Sequence, residues 1–230
     1  MRPIHFERHY TIHAAGSVLA VCGDTKVLCT ASVENSVPPF LRGSGKGWVT
    51  AEYAMLPGST GGGRKRRDSG KPDGRSVEIQ RLIGRSLRAA VDLTAIGEVS
   101  IVVDCDVIQA DGGTRTTAIS GGWVALVDAL AQVAQTQGVS DWKHWLLGQI
   151  TAISVGMVEQ KVVVDLDYAH DSIAEVDMNV VARDEDFVEI QGTGEQGVFT
   201  RQQLNDLLDG AAIGLAEVRA AQRKALGWEA

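Results

Sequence analysis

Two arginines in this chain sit where a helix would do better without them. In Gln109-Ala110-Asp111-Gly112-Gly113-Thr114-Arg115-Thr116-Thr117, Arg115 follows a glycine pair and opens a stretch whose Ile119, Trp123, Leu126, Val127 and Leu130 fall at helical spacing. The segment before it, Val99 to Ile108, is dense in Val and Ile and reads as a strand, so Gly112 and Gly113 make a strand-to-helix turn. The start of a helix carries unpaired N–H groups and a partial positive charge. A cation there opposes the dipole by roughly 0.3–1 kcal/mol, which makes sense where an anion lies beside it. Gly74-Arg75 repeats the arrangement ahead of Ser76 to Asp92, a stretch with Val77, Leu82, Ile83, Leu87 and Val91 as its apolar residues. Each arginine alone reads as a surface residue beside a loop glycine. Together their guanidinium forks could hold one phosphate bidentately, with the Thr114 hydroxyl and the N–H groups near Gly113 completing the cradle.

Carboxylates supply the opposite charge. Asp165, Asp167, Asp171, Glu175 and Asp177 lie close together, an oxygen-rich set that suits a hard divalent cation such as Mg²⁺. Asp165 and Asp167 are expected on one face of a strand and read as exposed edge carboxylates; Asp177 begins the next strand, with Asp171 in the connection. Between the two candidate helices' chemistry and the N-terminal strands runs Pro57 to Gly74, glycine-rich and without apolar periodicity, carrying Arg64, Lys65, Arg66 and Arg67. Such a run is either a solvated charge cluster or an electrostatic grip on RNA. The formal net charge of −7 argues against RNA binding over the surface at large, so any grip must be local.

The elements that must position these groups are legible in outline. Ser17 to Cys22 and Lys26 to Val33 read as a hairpin across Gly23-Asp24-Thr25, and Trp48 to Tyr53 as a short strand. After the two helices come a linker, Thr136 to Gly148, and strands at Ile150 to Val158, Lys161 to Asp167, Asp177 to Ala182 and Phe187 to Gln191. Thr200-Arg201-Gln202-Gln203 is a capping box opening a last helix with Leu204, Leu208, Ala211, Leu215 and Val218 as its stripe. This is an α+β order: a mixed β-sheet with packed helices, expected as a single domain over residues 1–230. No apolar run is expected to span a bilayer and no apolar leader is evident. Cys22, Cys29 and Cys105 lie in strand-like runs without metal-ligand spacing and read as buried free thiols, which fits the cytoplasm.

Asp104-Cys105-Asp106-Val107-Ile108-Gln109-Ala110-Asp111-Gly112-Gly113-Thr114-Arg115-Thr116 resembles the signature of the ribonuclease PH family of bacterial phosphorolytic exoribonucleases. Gly47-Trp48-Val49-Thr50-Ala51-Glu52-Tyr53, Glu78-Ile79-Gln80-Arg81-Leu82-Ile83-Gly84-Arg85 and Ala174-Glu175-Val176-Asp177-Met178-Asn179-Val180 resemble it too, so the likeness covers nearly the whole chain. The resemblance implies a β-α-β-α fold similar to the second domain of ribosomal protein S5. It implies trimming of tRNA precursors and other RNA 3′ ends, with inorganic phosphate as co-substrate, nucleoside diphosphates as products and nucleotide addition in reverse. It implies Asp171 and Asp177 as the metal and acid pair, Mg²⁺ there, the Arg64–Arg67 run on the tRNA body, and a homohexamer built as a trimer of dimers. Two rivals are a small-molecule phosphotransferase, for which no P-loop pattern is present, and a non-catalytic RNA-binding ring subunit. Relatives of that second kind lose the arginines or the paired aspartates, and this chain has both.

Overall fold

A computed structural model describes residues 1–64 and 73–228. The first sheet is built from β1 (Ile4–Arg8), β2 (Gly16–Cys22), β3 (Thr25–Glu34), β4 (Trp48–Met55) and β5 (Ser100–Gln109), in the order β1-β2-β3-β5-β4. All its pairs are antiparallel except β4 with β5. A parallel pair needs a crossover, and α1 (Gly74–Arg88) supplies it. The chain then turns at Gly112-Gly113 into α2 (Thr114–Gln137). The second sheet, wholly antiparallel, has the order β7-β6-β8-β9, from β6 (Ile150–Val158), β7 (Lys161–Val164), β8 (Val176–Arg183) and β9 (Asp186–Gly194). A one-turn helix α3 (Tyr168–Asp171) links β7 to β8, and α4 (Arg201–Leu226) closes the fold.

Alternation sets the buried faces. In β3, Thr25, Val27, Cys29 and Ala31 point inward; in β5, Ile101, Val103, Cys105 and Val107 do the same. Both rows meet α2, which also packs on β6 of the second sheet, so one helix fills the space between the sheets. Its approach is close: a Cβ on Gly121 would lie 2.6 Å from the Ala20 Cβ. Because both sides of α2 are covered, it is apolar nearly all round. By length and composition it could cross a membrane, contrary to the expectation that no run is long enough, but 89% of that window is buried inside the protein. It is a core helix.

The α+β class, the mixed sheet and the order of elements agree with expectation, and all three cysteines are buried and free. Several boundaries differ. α1 starts at Gly74 rather than Ser76 and ends at Arg88, after which Val91 bridges to Leu146. β1 was not expected at all. In α4 Leu207, Ala211, Gly214, Leu215 and Val218 are buried, and the expected Leu204 and Leu208 pack against the core half-buried, so the stripe is wider than expected by Leu207 and Gly214. The capping box at Thr200 and Gln203 is present.

The carboxylates at the end of β7 require a correction. The strand stops at Val164, and Asp165 takes a left-handed backbone, φ 65°, which ends the strand alternation there. Asp165 is therefore not an exposed edge residue. It is buried and accepts from Arg2 through the backbone N at 2.8 Å, Nε at 3.0 Å and Nη2 at 2.6 Å. Asp167 caps α3, accepting from the His170 backbone N at 2.9 Å.

Candidate active site

A cleft of about 1600 Å³ opens where the two sheets approach each other. It is lined by Arg75, Gly113, Thr114, Arg115, Asp171 and Asp177, the six described side chains and turn residues that sequence reasoning singled out for phosphate and metal. Each arrives on a different support: Arg75 on the first turn of α1, Gly113 to Arg115 on the β5–α2 turn, Asp171 on α3 and Asp177 on β8. Arg64 is exposed on the loop after β4. Lys65, Arg66 and Arg67 lie outside the described residues.

The β5–α2 turn is held from three sides. Gly112 and Gly113 have φ of 72° and 62°, where a side chain is strained, and a Cβ on Gly112 would run into the backbone of Leu166 and Asp167. The Thr25 hydroxyl donates to the Gly112 carbonyl at 2.7 Å and accepts from the Asp111 N–H at 2.9 Å. Arg2, anchored on Asp165, donates to the Asp111 carbonyl and pairs with its carboxylate at 3.5 Å. The turn ends in a glycine N-cap that offers no side chain to the first N–H groups of α2, which leaves those donors to an external anion.

Arg115 is aimed by its neighbours. Its guanidinium donates to the Gln191 side chain at 3.2 Å and faces Glu78 at 3.6 Å; Gln191 in turn donates to Glu78 at 3.2 Å. The adjacent Glu189 pairs with Arg85 at 2.7 Å, so α1, α2 and β9 are tied together along one wall of the cleft. Sequence reading gave no site role to Glu78, Gln191 or Arg2, whose partners are remote in the chain.

Across the cleft the carboxylates crowd each other. Burial pushes the Asp177 carboxyl up to about 6; Asp171 and Glu195 push it further, while Arg115 and Arg75 pull it back. Asp171, at the rim, is also raised, first by loss of solvent and then by Glu195, against the pull of both arginines. The cleft thus sets a cationic wall, Arg75 and Arg115, against an acidic one, Asp171 and Asp177. Among the described residues no group of three or more His, Cys, Asp or Glu side chains is arranged to hold a metal. Two carboxylates, with water and a substrate's own phosphate oxygens, are the donor set Mg²⁺ commonly takes, so the residues fit that ion as a shared rather than a caged ligand.

Comparison with known proteins agrees with this geometry. Residues 1–132 match the 3′ exoribonuclease family, domain 1, and residues 148–214 match domain 2 of the same family. Ribonuclease PH of Corynebacterium glutamicum is 56% identical over 230 residues, covering 99% of this chain and 93% of the relative. Ribonuclease PH of a Geobacillus species is 52% identical over 230 residues, covering 99% of this chain and 89% of the relative. The chain belongs to the ribonuclease PH family. Among solved structures, rice Rrp46 superposes with a TM-score of 0.77 at 18% identity, covering 97% of this chain and 94% of that one. The Archaeoglobus fulgidus exosome with RNA bound to its active site gives 0.76 at 19% identity, covering 95% and 87%. At that identity the two confirm the fold, including the β-α-β-α run from β4 to α2 expected of the ribosomal protein S5 type.

Proposed function

We propose that this chain trims RNA 3′ ends, those of tRNA precursors among them, by phosphorolysis in the cleft, with the charges divided between its two walls. The observation that carries the reading is the junction of an uncapped helix N-terminus and two arginines with a facing pair of carboxylates. Inorganic phosphate lies at the start of α2, held by Arg115 and Arg75, the Thr114 hydroxyl and the N–H groups next to Gly113. It is already an anionic nucleophile, so the protein need not activate a serine or cysteine. One of its oxygens attacks the phosphorus of the last phosphodiester. The bond from that phosphorus to the 3′-oxygen of the preceding nucleotide breaks, releasing a nucleoside diphosphate and an RNA one nucleotide shorter. The departing 3′-oxygen must gain a proton, and Asp177, whose carboxyl burial pushes up to about 6 when it is free of metal, can hold one there. Mg²⁺ bound by Asp171 and Asp177 would supply charge neutralisation on the scissile phosphate. Positioning and charge then account for most of the rate. In reverse, the same site adds nucleotides from diphosphates.

The rivals fare worse on the same residues. A non-catalytic ring subunit has no need of both arginines and both aspartates in one cleft. A small-molecule phosphotransferase has no need of an open cleft of this size. In support of the assembly and setting, copies of the chain would form a homohexamer in the cytoplasm, covering exposed apolar side chains such as Phe40 and Val198; a scattering mass six times 24.5 kDa tests it. The Arg64, Lys65, Arg66 and Arg67 run would hold the tRNA body away from the chemistry. Incubation of a 3′-extended tRNA with and without phosphate tests the activity. Nucleoside diphosphates should form only with phosphate; monophosphates formed equally well without it would refute phosphorolysis.

A further inference from the structure

Tyr53 lies near the end of β4, buried beneath the phosphate cradle, and its phenolic oxygen is 2.9 Å from the Thr114 Oγ1. This hydroxyl pair is the only hydrogen bond of the Tyr53 side chain among the described residues. A buried phenol keeps its proton and must place it somewhere. Burial raises the Tyr53 pKa, against the pull of Thr114 and the two arginines, so at neutral pH the phenol is a donor. If Thr114 donated to Tyr53 instead, the phenolic proton would be left without an acceptor, at the cost of a buried unsatisfied group.

We infer that Tyr53 is a positioning residue for phosphate: by donating to Thr114 Oγ1 it fixes that rotor and turns the threonine proton into the cleft, toward the anion. A free threonine hydroxyl can rotate, and at the first turn of a helix it can back-bond to a carbonyl. Its neighbour two residues on does so: Thr116 donates to the Gly113 carbonyl at 2.9 Å. Tyr53 prevents the same loss at Thr114. Both groups sit on rigid supports, β4 and the start of α2, so the geometry exists before phosphate arrives. The tyrosine itself need not touch substrate.

This inference rests on the assignment of Thr114 to the phosphate site, and the test separates the two. In full-length protein, Tyr53→Phe should raise the KM for phosphate by about three- to tenfold, the worth of one net hydrogen bond, with the KM for RNA and kcat at saturating phosphate nearly unchanged. Thr114→Val should raise the phosphate KM at least as much, and adding Tyr53→Phe to it should raise the value no further. Labelling tyrosine at ¹³Cζ gives a second readout in the unsubstituted protein: the resonance lost in Tyr53→Phe should shift on titration with inorganic phosphate. If Thr114→Val leaves the phosphate KM alone, the phosphate assignment falls and this inference with it. If Thr114→Val acts but Tyr53→Phe does not, or the two effects are fully additive, or the Tyr53 resonance ignores phosphate, the inference alone falls. A parallel rise in the KM for RNA would make Tyr53 a packing residue and overturn it as well.

Discussion

The starts of α1 and α2 look alike in sequence, a glycine and then an arginine within two residues, yet they are different objects. At α1 the N-cap is Asp73, whose carboxylate accepts from the Ser76 N–H at 2.6 Å. One first-turn donor of that helix is taken by its own capping side chain, and the carboxylate offsets part of the positive end. At α2 the N-cap is Gly113 in the left-handed region, with no side-chain cap. At the cleft, then, α2 offers first-turn N–H groups with no side-chain cap, while α1 contributes Arg75 from a capped start. Both arginines of the two helix starts reach one cleft, but the two starts are capped differently. What decides between an internal cap and a ligand site is the residue just before the helix.

The largest effect should come from the wall opposite both helices. On the proposed mechanism Asp177→Asn removes the proton holder and weakens the cation site, so turnover should fall by about 10²–10⁴-fold, while RNA still binds in a filter or anisotropy assay. Near-normal turnover across a Mg²⁺ titration would return Asp177 to a structural role and leave the arginine wall without a counterpart. The same residue fixes a pH dependence. Its carboxyl is raised to about 6 from an unperturbed 3.8, so the folded state favours the protonated form. The stability it contributes is full below the unfolded value and is lost as pH rises through about 6. Urea midpoints of metal-free protein should therefore decline over that window, less so in Asp177→Asn, and Mg²⁺ should recover part of the loss at neutral pH.

The next effect separates the two arginines. Arg115→Ala removes a charge-assisted donor worth roughly 1.5–3 kcal/mol, so the KM for phosphate should rise by roughly ten- to a hundredfold. The Arg115 side chain is 20% exposed and is held by Gln191 and Glu78. Arg75 is exposed and makes no side-chain hydrogen bond among the described residues. An exposed charge is screened and must be ordered on binding, so Arg75→Ala should cost several-fold less than Arg115→Ala. Equal losses would mean that phosphate draws Arg75 into as close a grip, and that α1 contributes more than the free cleft shows.

How far the sequence carries is visible in these residues. Glycine-arginine spacing, strand alternation in β3 and β5, and the Thr200 capping box are local signals, and the structure bears out the elements they mark. Asp165 was misread because a two-residue period was extended past Val164, where the backbone turns left-handed, and because its partner Arg2 is 163 residues away. The grip of Gln191 on Arg115 and that of Tyr53 on Thr114 are likewise long-range pairings that no local pattern encodes. The Asp73 cap is a local signal too, since Asp is a preferred N-cap, and it sets the start of α1 two residues before Ser76.

The smallest effect is the sharpest check on the contrast between the helices. Asp73→Ala takes away the α1 cap and should destabilise the protein by about 1 kcal/mol, read as a lower urea midpoint. It frees the Ser76 N–H and removes a negative charge two residues from Arg75, so a small fall in the phosphate KM is expected, at most about twofold. If the α1 start were already an anion site in the native protein, opening it further would instead strengthen phosphate binding strongly, and the two helix ends would be equivalent after all. If Asp73 matters as an ordinary cap, the midpoint drops and the phosphate KM moves by no more than that small factor. That second result, a helix weakened at its end with the chemistry intact, is what a divided cradle requires: backbone donors from α2, and from α1 a side chain whose placement does not depend on an open helix terminus.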